Sequence, residues 1–391
     1  MSMVKKFFCG LLLTCALVSV NSHAEEWTRE RVLSFDTRKV LGQLEKALTV
    51  HDEIPTLERS RLLGRDQKSA ETDLDKLIKE AIGLLESDGI NTMRSQYQQL
   101  EGRVAAERRR LTQLRRDRVL APSDGRSLSI NLVPGETLKQ WVASTREDYD
   151  LLIEATEGNI ESFEAEKIQT LTEMATALAA IGLNLTNDQL DTMLSSVTGD
   201  DIMGMTVVFN AIKDLTVQLS VLTQESGEDL EHAKKYYGMV VVLHRLIGTM
   251  QKQFLAEVNG EYLPKLAEFR ATANDNLKEA RALLKTGTHP QTIKSNIEAN
   301  EMTLRVIELY EQVLNDQKNK VSKALQVTEK EIRVANNTYN TVSLSSAVVS
   351  MIREGANTFE QLISLQMPDV REFQNENMKE EFRRLTARMS P

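Results

Sequence analysis

Along most of this chain apolar residues recur at alternating steps of three and four, the spacing that gathers them on one stripe of an α-helix. Met93, Tyr97, Leu100, Val104, Leu111 and Leu114 form one such stripe, interrupted by the polar Glu107 and Arg118. Ile153, Ile160, Met174 and Ile181 share a heptad position, with Lys167 as the exception and Phe163, Leu171 and Leu178 close to the same stripe. The longest repeat runs through Ile297, Asn300, Leu304, Ile307, Glu311, Leu314, Lys318, Val321, Leu325, Thr328, Ile332, Ala335, Tyr339 and Val342, of which ten of fourteen are apolar. A helix with a seam of this kind cannot shelter it alone, so the pattern predicts long helices that pack on one another. The predicted fold is all-α: an elongated antiparallel helical bundle with coiled-coil hairpins.

The breaks divide this pattern. Residues 25–120 predict two or three helices ending in a coiled-coil arm, with Pro55 at a helix start and Gly89 near a break. Residues 121–135 carry Pro122, Gly125, Pro134 and Gly135, and between them Leu128, Ile130 and Leu132 alternate with Ser127, Ser129 and Asn131. Such alternation predicts one short extended or β segment near residues 127–133. Helix returns over 136–225: a long run stops at Gly182, Thr186 and Gln189 form a capping box that opens a short helix to Val197, and Ile202 to Leu222 is a further helix. From 226 to 366 the chain reads as a long helical hairpin. Its first helix starts near Ser226 and Asp229 and its hinge lies at 285–290, where Gly287 closes one helix and Pro290 enters the first turn of the next. Sixty residues at 1.5 Å each would make an arm of about 90 Å. Met367-Pro368-Asp369 ends the pattern, leaving 367–391 as a terminal helix or docked tail.

The amino terminus changes the picture. Lys5 and Lys6 precede an apolar run from Phe7 to Val20 and then Asn21-Ser22-His23-Ala24, the form of a secretory signal peptide over residues 1–24 cleaved between Ala24 and Glu25. The run is shorter than the roughly twenty residues a membrane span needs. Cleavage would remove both cysteines, Cys9 and Cys15, and shift the formal charge from −9 to −11 with the loss of Lys5 and Lys6. The processed chain would then be cysteine-free, stabilised by packing alone in an oxidising compartment, periplasmic or extracellular. Its acidity argues against nucleic acid as a partner.

Candidate chemistry is sparse. His51, His232, His244 and His289 lack ligand spacing, so no metal site is expected. His244, inside Val240-Val241-Val242-Leu243-His244-Arg245-Leu246, reads as a core histidine. The acidic pairs Glu25-Glu26, Asp200-Asp201 and Glu380-Glu381 read as helix-start carboxylates rather than calcium ligands. No nucleophile elbow, phosphate loop or dinucleotide fingerprint appears, so neither an enzyme nor a cofactor is expected. Arg103, Arg108, Arg109, Arg110, Arg115, Arg116 and Arg118 form a basic patch on an acidic background. It reads either as solvated coiled-coil flanks paired with a neighbouring helix or as a peripheral contact with an anionic membrane.

These readings lead to an exported coiled-coil structural or interaction protein, a scaffold or adaptor of an envelope-associated assembly with protein partners or further copies of itself. The loop tip at Arg126, Leu128, Ile130 and Leu132 and the hinge at Gly287 are the expected partner contacts, the former by strand addition. The rival reading is a secreted helical protein that perturbs membranes through Ile202–Leu222, Tyr236–Met250 or Val342–Ile352.

Overall fold

Helices in this chain start where a side chain can accept hydrogen bonds from the first-turn amides. The computed structural model describes residues 28–61, 64–123, 145–225, 230–286, 289–342 and 376–389. Thr28 caps α1 (Arg29–Val32) and Asp36 caps α2 (Thr37–Glu53). At α3 (Gln67–Leu85) the Asp66 carboxylate accepts from the Ser69 amide at 2.8 Å while Ser69 Oγ accepts from the Asp66 amide at 2.9 Å. Ser87 caps α4 (Asp88–Leu120), Thr145 caps α5 (Arg146–Ala180) and Thr186 caps α6 (Asn187–Leu194). The Thr186 box closes as its spacing predicts, with Gln189 reaching back to the Thr186 amide at 3.0 Å. Then follow α7 (Gly199–Glu225), α8 (Leu230–Glu257), a π turn (Val258–Tyr262), α9 (Leu263–Leu284), α10 (Pro290–Val342) and α11 (Glu376–Met389). The fold is all-α, and there is no strand among the described residues. The extended segment expected near 127–133 lies outside them.

One predicted boundary moves, and one holds. Pro55 does not open a helix; it sits in a 3-10 turn, Ile54–Thr56, that tightens the end of α2. Proline suits either role because its φ is fixed and its missing N–H is harmless where no ladder bond is needed. Acceptor side chains decide between them: no side chain caps the turn at Glu53, whereas Asp66 caps the next helix. Gly89 lies inside the first turn of α4, and the break falls at Glu86 and Ser87. Gly182 does end α5, at a φ of +90°. Its amide bonds the Ala179 carbonyl at 2.9 Å and the Leu183 amide bonds Leu178 at 2.9 Å, the paired closure that glycine's freedom allows.

The helices pair as antiparallel hairpins, α2 with α3, α4 with α5, and the continuous α8–π–α9 rod with α10. Ion pairs record the direction: Arg270 meets Glu311 and Arg281 meets Glu301, so position rises on one helix as it falls on the other. The π turn answers Pro264, which has no N–H to return to the ladder. Leu263 instead bonds back five residues to the Val258 carbonyl, and the widened turn lets the rod continue. From Leu230 to Leu284 the rod rises roughly 80 Å.

The core is centred on α7 and α8. Val208, Phe209, Ile212 and Leu215 of α7 and Val241, Leu243, Leu246 and Ile247 of α8 are all at most 1% exposed. Among the described helices α7 alone is long and apolar enough to cross a membrane, yet 61% of that span is buried inside the protein. Its polar residues are made compatible with burial locally: Thr206, Thr216 and Thr223 each donate to the carbonyl four residues back, at 2.7 to 2.8 Å. His244 is likewise buried, its Nδ1 2.9 Å from the Val240 carbonyl, and burial pulls its pKa down to about 4, which keeps it neutral.

On α10 the buried face is rotated from the seam read in sequence. Ile307, Leu314, Val321, Thr328 and Val342 are buried as expected, but so are Tyr310, Gln317 and Ala324, whereas Leu304, Leu325 and Ile332 are only half-buried. The rotation has a cause, because α10 meets more than one partner. Phe382 of α11 stacks on Tyr310, and Thr198, just before α7, donates to Gln317 at 2.8 Å.

Two hairpin ends extend past the shared core. In the first arm, the distal part of α4 and α5, Leu114 and Leu152 form a small cluster of their own with Tyr149 and Ile153. From Leu100 to Leu120 this arm rises about 30 Å. In the second, the distal part of α9 and α10, Ala273, Leu277, Ala280 and Ile293 are buried outside the central cluster.

A tightly packed glycine gives a test. A Cβ at Gly238 of α8 would lie 2.5 and 2.6 Å from the Leu48 methyls and 3.0 Å from Tyr339, whereas one at Gly158 of α5 meets nothing within 4 Å. Gly238→Ala is expected to destabilise by about 1 to 3 kcal/mol through overpacking. Gly158→Ala should stabilise by up to about 1 kcal/mol through helix propensity. Urea denaturation of both variants measures the contrast.

Candidate functional site

Two groups of ionisable residues lie where the arms meet the core. The first is built around Asp191 of α6, whose side chain is 5% exposed. A lone carboxylate at that depth would be costly, and four side chains from three other helices answer it. Tyr97 of α4 donates its hydroxyl to Oδ1. Arg383 of α11 donates to both carboxylate oxygens, at 2.9 and 2.7 Å, and Lys379 of the same helix pairs with Oδ2. Lys167 of α5 stands 3.6 Å from Oδ1 and 5.5 Å above the Tyr97 ring. Around this centre Glu101 of α4 faces Lys167 at 3.5 Å and Arg383 at 3.4 Å, and Arg383 donates to Ser195 Oγ at 3.2 Å. The network continues through Thr386, which donates to the Ser195 carbonyl at 2.7 Å and lies 2.8 Å from the Tyr310 hydroxyl, which in turn accepts the Val197 amide.

Burial by itself would raise the Asp191 pKa. The charges of Arg383 and Lys167 and the hydrogen bonds from Lys379 and Tyr97 outweigh it and bring the value down to about 2. The Tyr97 hydroxyl shifts the other way, far up, through burial and then the negative charges of Glu101 and Asp191. Asp191 therefore stays ionised and Tyr97 stays protonated. The polar residue that interrupts the α5 stripe, Lys167, is a member of this network; Asp191, Arg383 and Lys379 carried no signal in the pattern, because Asp191 meets Tyr97 and Arg383 across 94 and 192 positions of sequence.

The second group lines a cleft of about 380 Å³ between α3, α4, α7 and α8, within the size range of small-molecule sites. Ile82, Met205, Met250 and Phe254 make it apolar, and Lys79, Glu86, Arg94, Asp200, Asp201 and Glu257 supply charge. Asp200 and Asp201 occupy the first turn of α7, the helix-start position read from sequence. Arg94 stands 3.7 Å from Asp200 and Gln98 donates to it at 3.3 Å. Asp201 is hydrogen-bonded to Glu257 instead; burial, then the charges of Glu257 and Asp200, push its pKa up to about 7. The cleft thus holds an acid pair able to take up or release a proton near neutrality. Among the described residues no group of three or more His, Cys, Asp or Glu is placed to hold a metal ion.

Of the residues singled out in sequence, Ala24, Glu25, Arg126, Leu128, Ile130, Leu132 and Gly287 lie outside the described residues. The basic patch lies along the first arm. Arg108 bonds Glu164 of α5 at 2.6 Å, Arg115 bonds Glu157 at 2.7 Å, Arg118 clasps Asp150, and Arg103 lies over the Phe163 ring at 5.6 Å. Arg109 is exposed. These exposed pairs contribute little stability each, about 0 to 1 kcal/mol, but they set the register in which α4 and α5 meet. Comparison with known protein families, with curated proteins and with solved structures returned no match.

Both centres should be visible in stability against pH. Asp191 has a folded pKa below its unfolded value, so its contribution is complete above about pH 4 and is lost as pH falls towards 2. Asp191→Asn, which removes the buried counter-charge of Arg383, Lys379 and Lys167 and leaves Glu101 to face only two of them, is expected to cost roughly 3 kcal/mol at pH 7, with the gap to the wild type narrowing at pH 2 to 3. Asp201 has the opposite sign: its raised pKa makes it destabilising as pH rises from about 4 to 7. Asp201→Asn should therefore gain roughly 1 to 2 kcal/mol at pH 8, a discounted share of the full shift because the cleft opens to solvent, and almost nothing at pH 4. Urea titrations across pH 2 to 8 check both; parallel profiles for the variants and the wild type would contradict them.

Proposed function

We propose that this chain is an exported helical scaffold or adaptor, carrying no chemistry of its own, that holds protein partners in the cell envelope or outside the cell by means of its projecting arms. The signal-peptide pattern over residues 1–24 supports export. The observation that carries the reading is the end of the first arm. Val119 and Leu120 are 71% and 79% exposed there, adjacent at the end of α4, on a two-helix rod whose flanks carry several cross-helix ion pairs. Adjacent apolar side chains held about 30 Å out from the core are suited to a partner's apolar surface. The arm's arginines lean towards acids of its own second helix, which favours a protein contact over an anionic membrane.

The membrane-perturbing alternative asks α7 to leave the core. There 61% of its apolar span is buried, packed against α8 in the central cluster, so insertion would require that packing to be given up.

Two measurements bear on the proposal. A photo-crosslinking residue at Leu120 should yield discrete protein adducts in intact cells that the same probe at Lys278 on the second arm does not yield, and Val119→Ser/Leu120→Ser should reduce binding of the adducted partner at least about tenfold, as expected for loss of an apolar anchor pair. The processed protein should release no dye from liposomes; release at submicromolar concentration would sink the scaffold reading.

A further inference from the structure

α11 is a short helix with contacts on both arms. Phe382, Leu385 and Met389 recur on one face and are at most 1% exposed. Towards the first arm, Arg383 faces Glu101 of α4 at 3.4 Å, and Arg383 and Lys379 hold Asp191, which is bonded to Tyr97 of α4 and faces Lys167 of α5. Towards the second, Phe382 stacks on Tyr310 of α10 with ring centres 4.0 Å apart and planes 11° from parallel. Thr303 of α10 donates to Glu381 at 2.8 Å, Lys265 of α9 donates to the Met389 carbonyl at 2.6 Å, and the Arg388 guanidinium lies 4.3 Å over the Phe269 ring. Among the described residues α4 and α5 share no extended backbone packing with α9 or α10. Besides the central apolar cluster to which the bases of α4, α5 and α10 contribute, the Ser195–Thr198 turn links them: it touches Tyr310 and Gln317 and is itself bonded by Arg383 and Thr386 of α11.

We propose that α11 is a releasable clamp that fixes the two arms relative to one another, so that undocking it leaves each hairpin folded but lets the angle between them vary. Three features give the clamp this character. At 14 residues α11 is about as short as a helix can be before it loses stability on its own in water, so it folds as it docks and unfolds as it leaves. Its grip combines a small apolar face at the edge of the central cluster with charge-assisted bonds at one end, and both can be weakened by substitutions in α11 that change no residue of α7 or α8. Its removal subtracts contacts from the arm bases, from Asp191 and from the Ser195–Thr198 turn, and leaves the packing of the α2–α3 hairpin on α8 in place. The device works on the relation between the arms and stands whatever the arms bind.

The test uses the full chain with Cys9 and Cys15 replaced by Ser and spin labels introduced by Thr112→Cys and Lys278→Cys, one exposed position on each arm. A control pair, Lys46→Cys and Lys76→Cys, reports the α2–α3 hairpin. In the otherwise unchanged protein the arm-to-arm distance distribution should be narrow. Phe382→Ala/Arg383→Gln should broaden it about twofold or more, the mark of a locally released element, remove amide protection from 376–389, and leave the control pair unchanged. Arg383→Gln alone, which keeps every apolar contact of α11, serves if the double variant does not fold, and should broaden the distribution to a smaller degree. Loss of protection at 376–389 with an unchanged arm-to-arm distribution would overturn the clamp, as would broadening of the control pair, which would make α11 part of the core.

Discussion

A carboxylate held at 5% exposure on a short helix organises the region where this molecule's parts meet. Asp191 cannot be buried alone, because removing a charge from water costs more than the interior returns unless partners come with it. The partners come from α4, α5 and α11, each from a different stretch of chain. Satisfying one side chain thus requires four helices to be in register at once. That requirement converts a set of amphipathic helices, which could slide along one another at modest cost, into one arrangement.

The apolar core supplies the stability on which this ordering depends. α7 and α8 bury most of the apolar side chains they carry, and the buried threonines of α7 and the Nδ1 of His244 in α8 bond carbonyls four residues back. Because those bonds are local, the core tolerates threonine and histidine without a network. The polar groups at the arm bases have no such local solution, so their partners are distant. The same contrast separates the two carboxylate centres: Asp191 is surrounded by cations and held near a pKa of 2, while Asp201 faces other acids and is pushed to about 7. Two aspartates only ten positions apart are set in opposite charge states by which helices cover them.

The arms follow from where the core ends. Two helices that run past the shared cluster can shelter only what they cover themselves, so the distal first arm keeps a cluster as small as Leu114 and Leu152 and relies on ion pairs along its flanks for register. A two-helix rod also exposes whatever apolar residues sit at its tip, and Val119 and Leu120 are there. In the scaffold reading, the reach of the molecule and the surface it offers are consequences of one choice, to lengthen hairpins rather than enlarge the core.

Helix content, the stop at Gly182, the capping box at Thr186 and the amphipathic stripes of α4, α5 and α10 were all set by local sequence, because each depends on residues within a few positions: a cap acceptor, a glycine able to adopt positive φ, an apolar repeat. Pro55 shows the limit even at that range, since the same fixed φ serves the end of one helix as well as the start of another. Tertiary structure alone decided which flank of the α10 stripe would be covered, because Tyr310 and Gln317 are buried by α11 and by the turn before α7, not by the hairpin partner the heptads imply. It alone made Lys167 an ion-pairing member of a buried network rather than a flaw in a seam, and it alone assembled Asp191, Arg383 and Lys379. A charge pattern within a helix records neighbours three and four residues away, whereas a buried ion's partners are fixed by packing across nearly two hundred positions, and no periodicity in the chain encodes that distance.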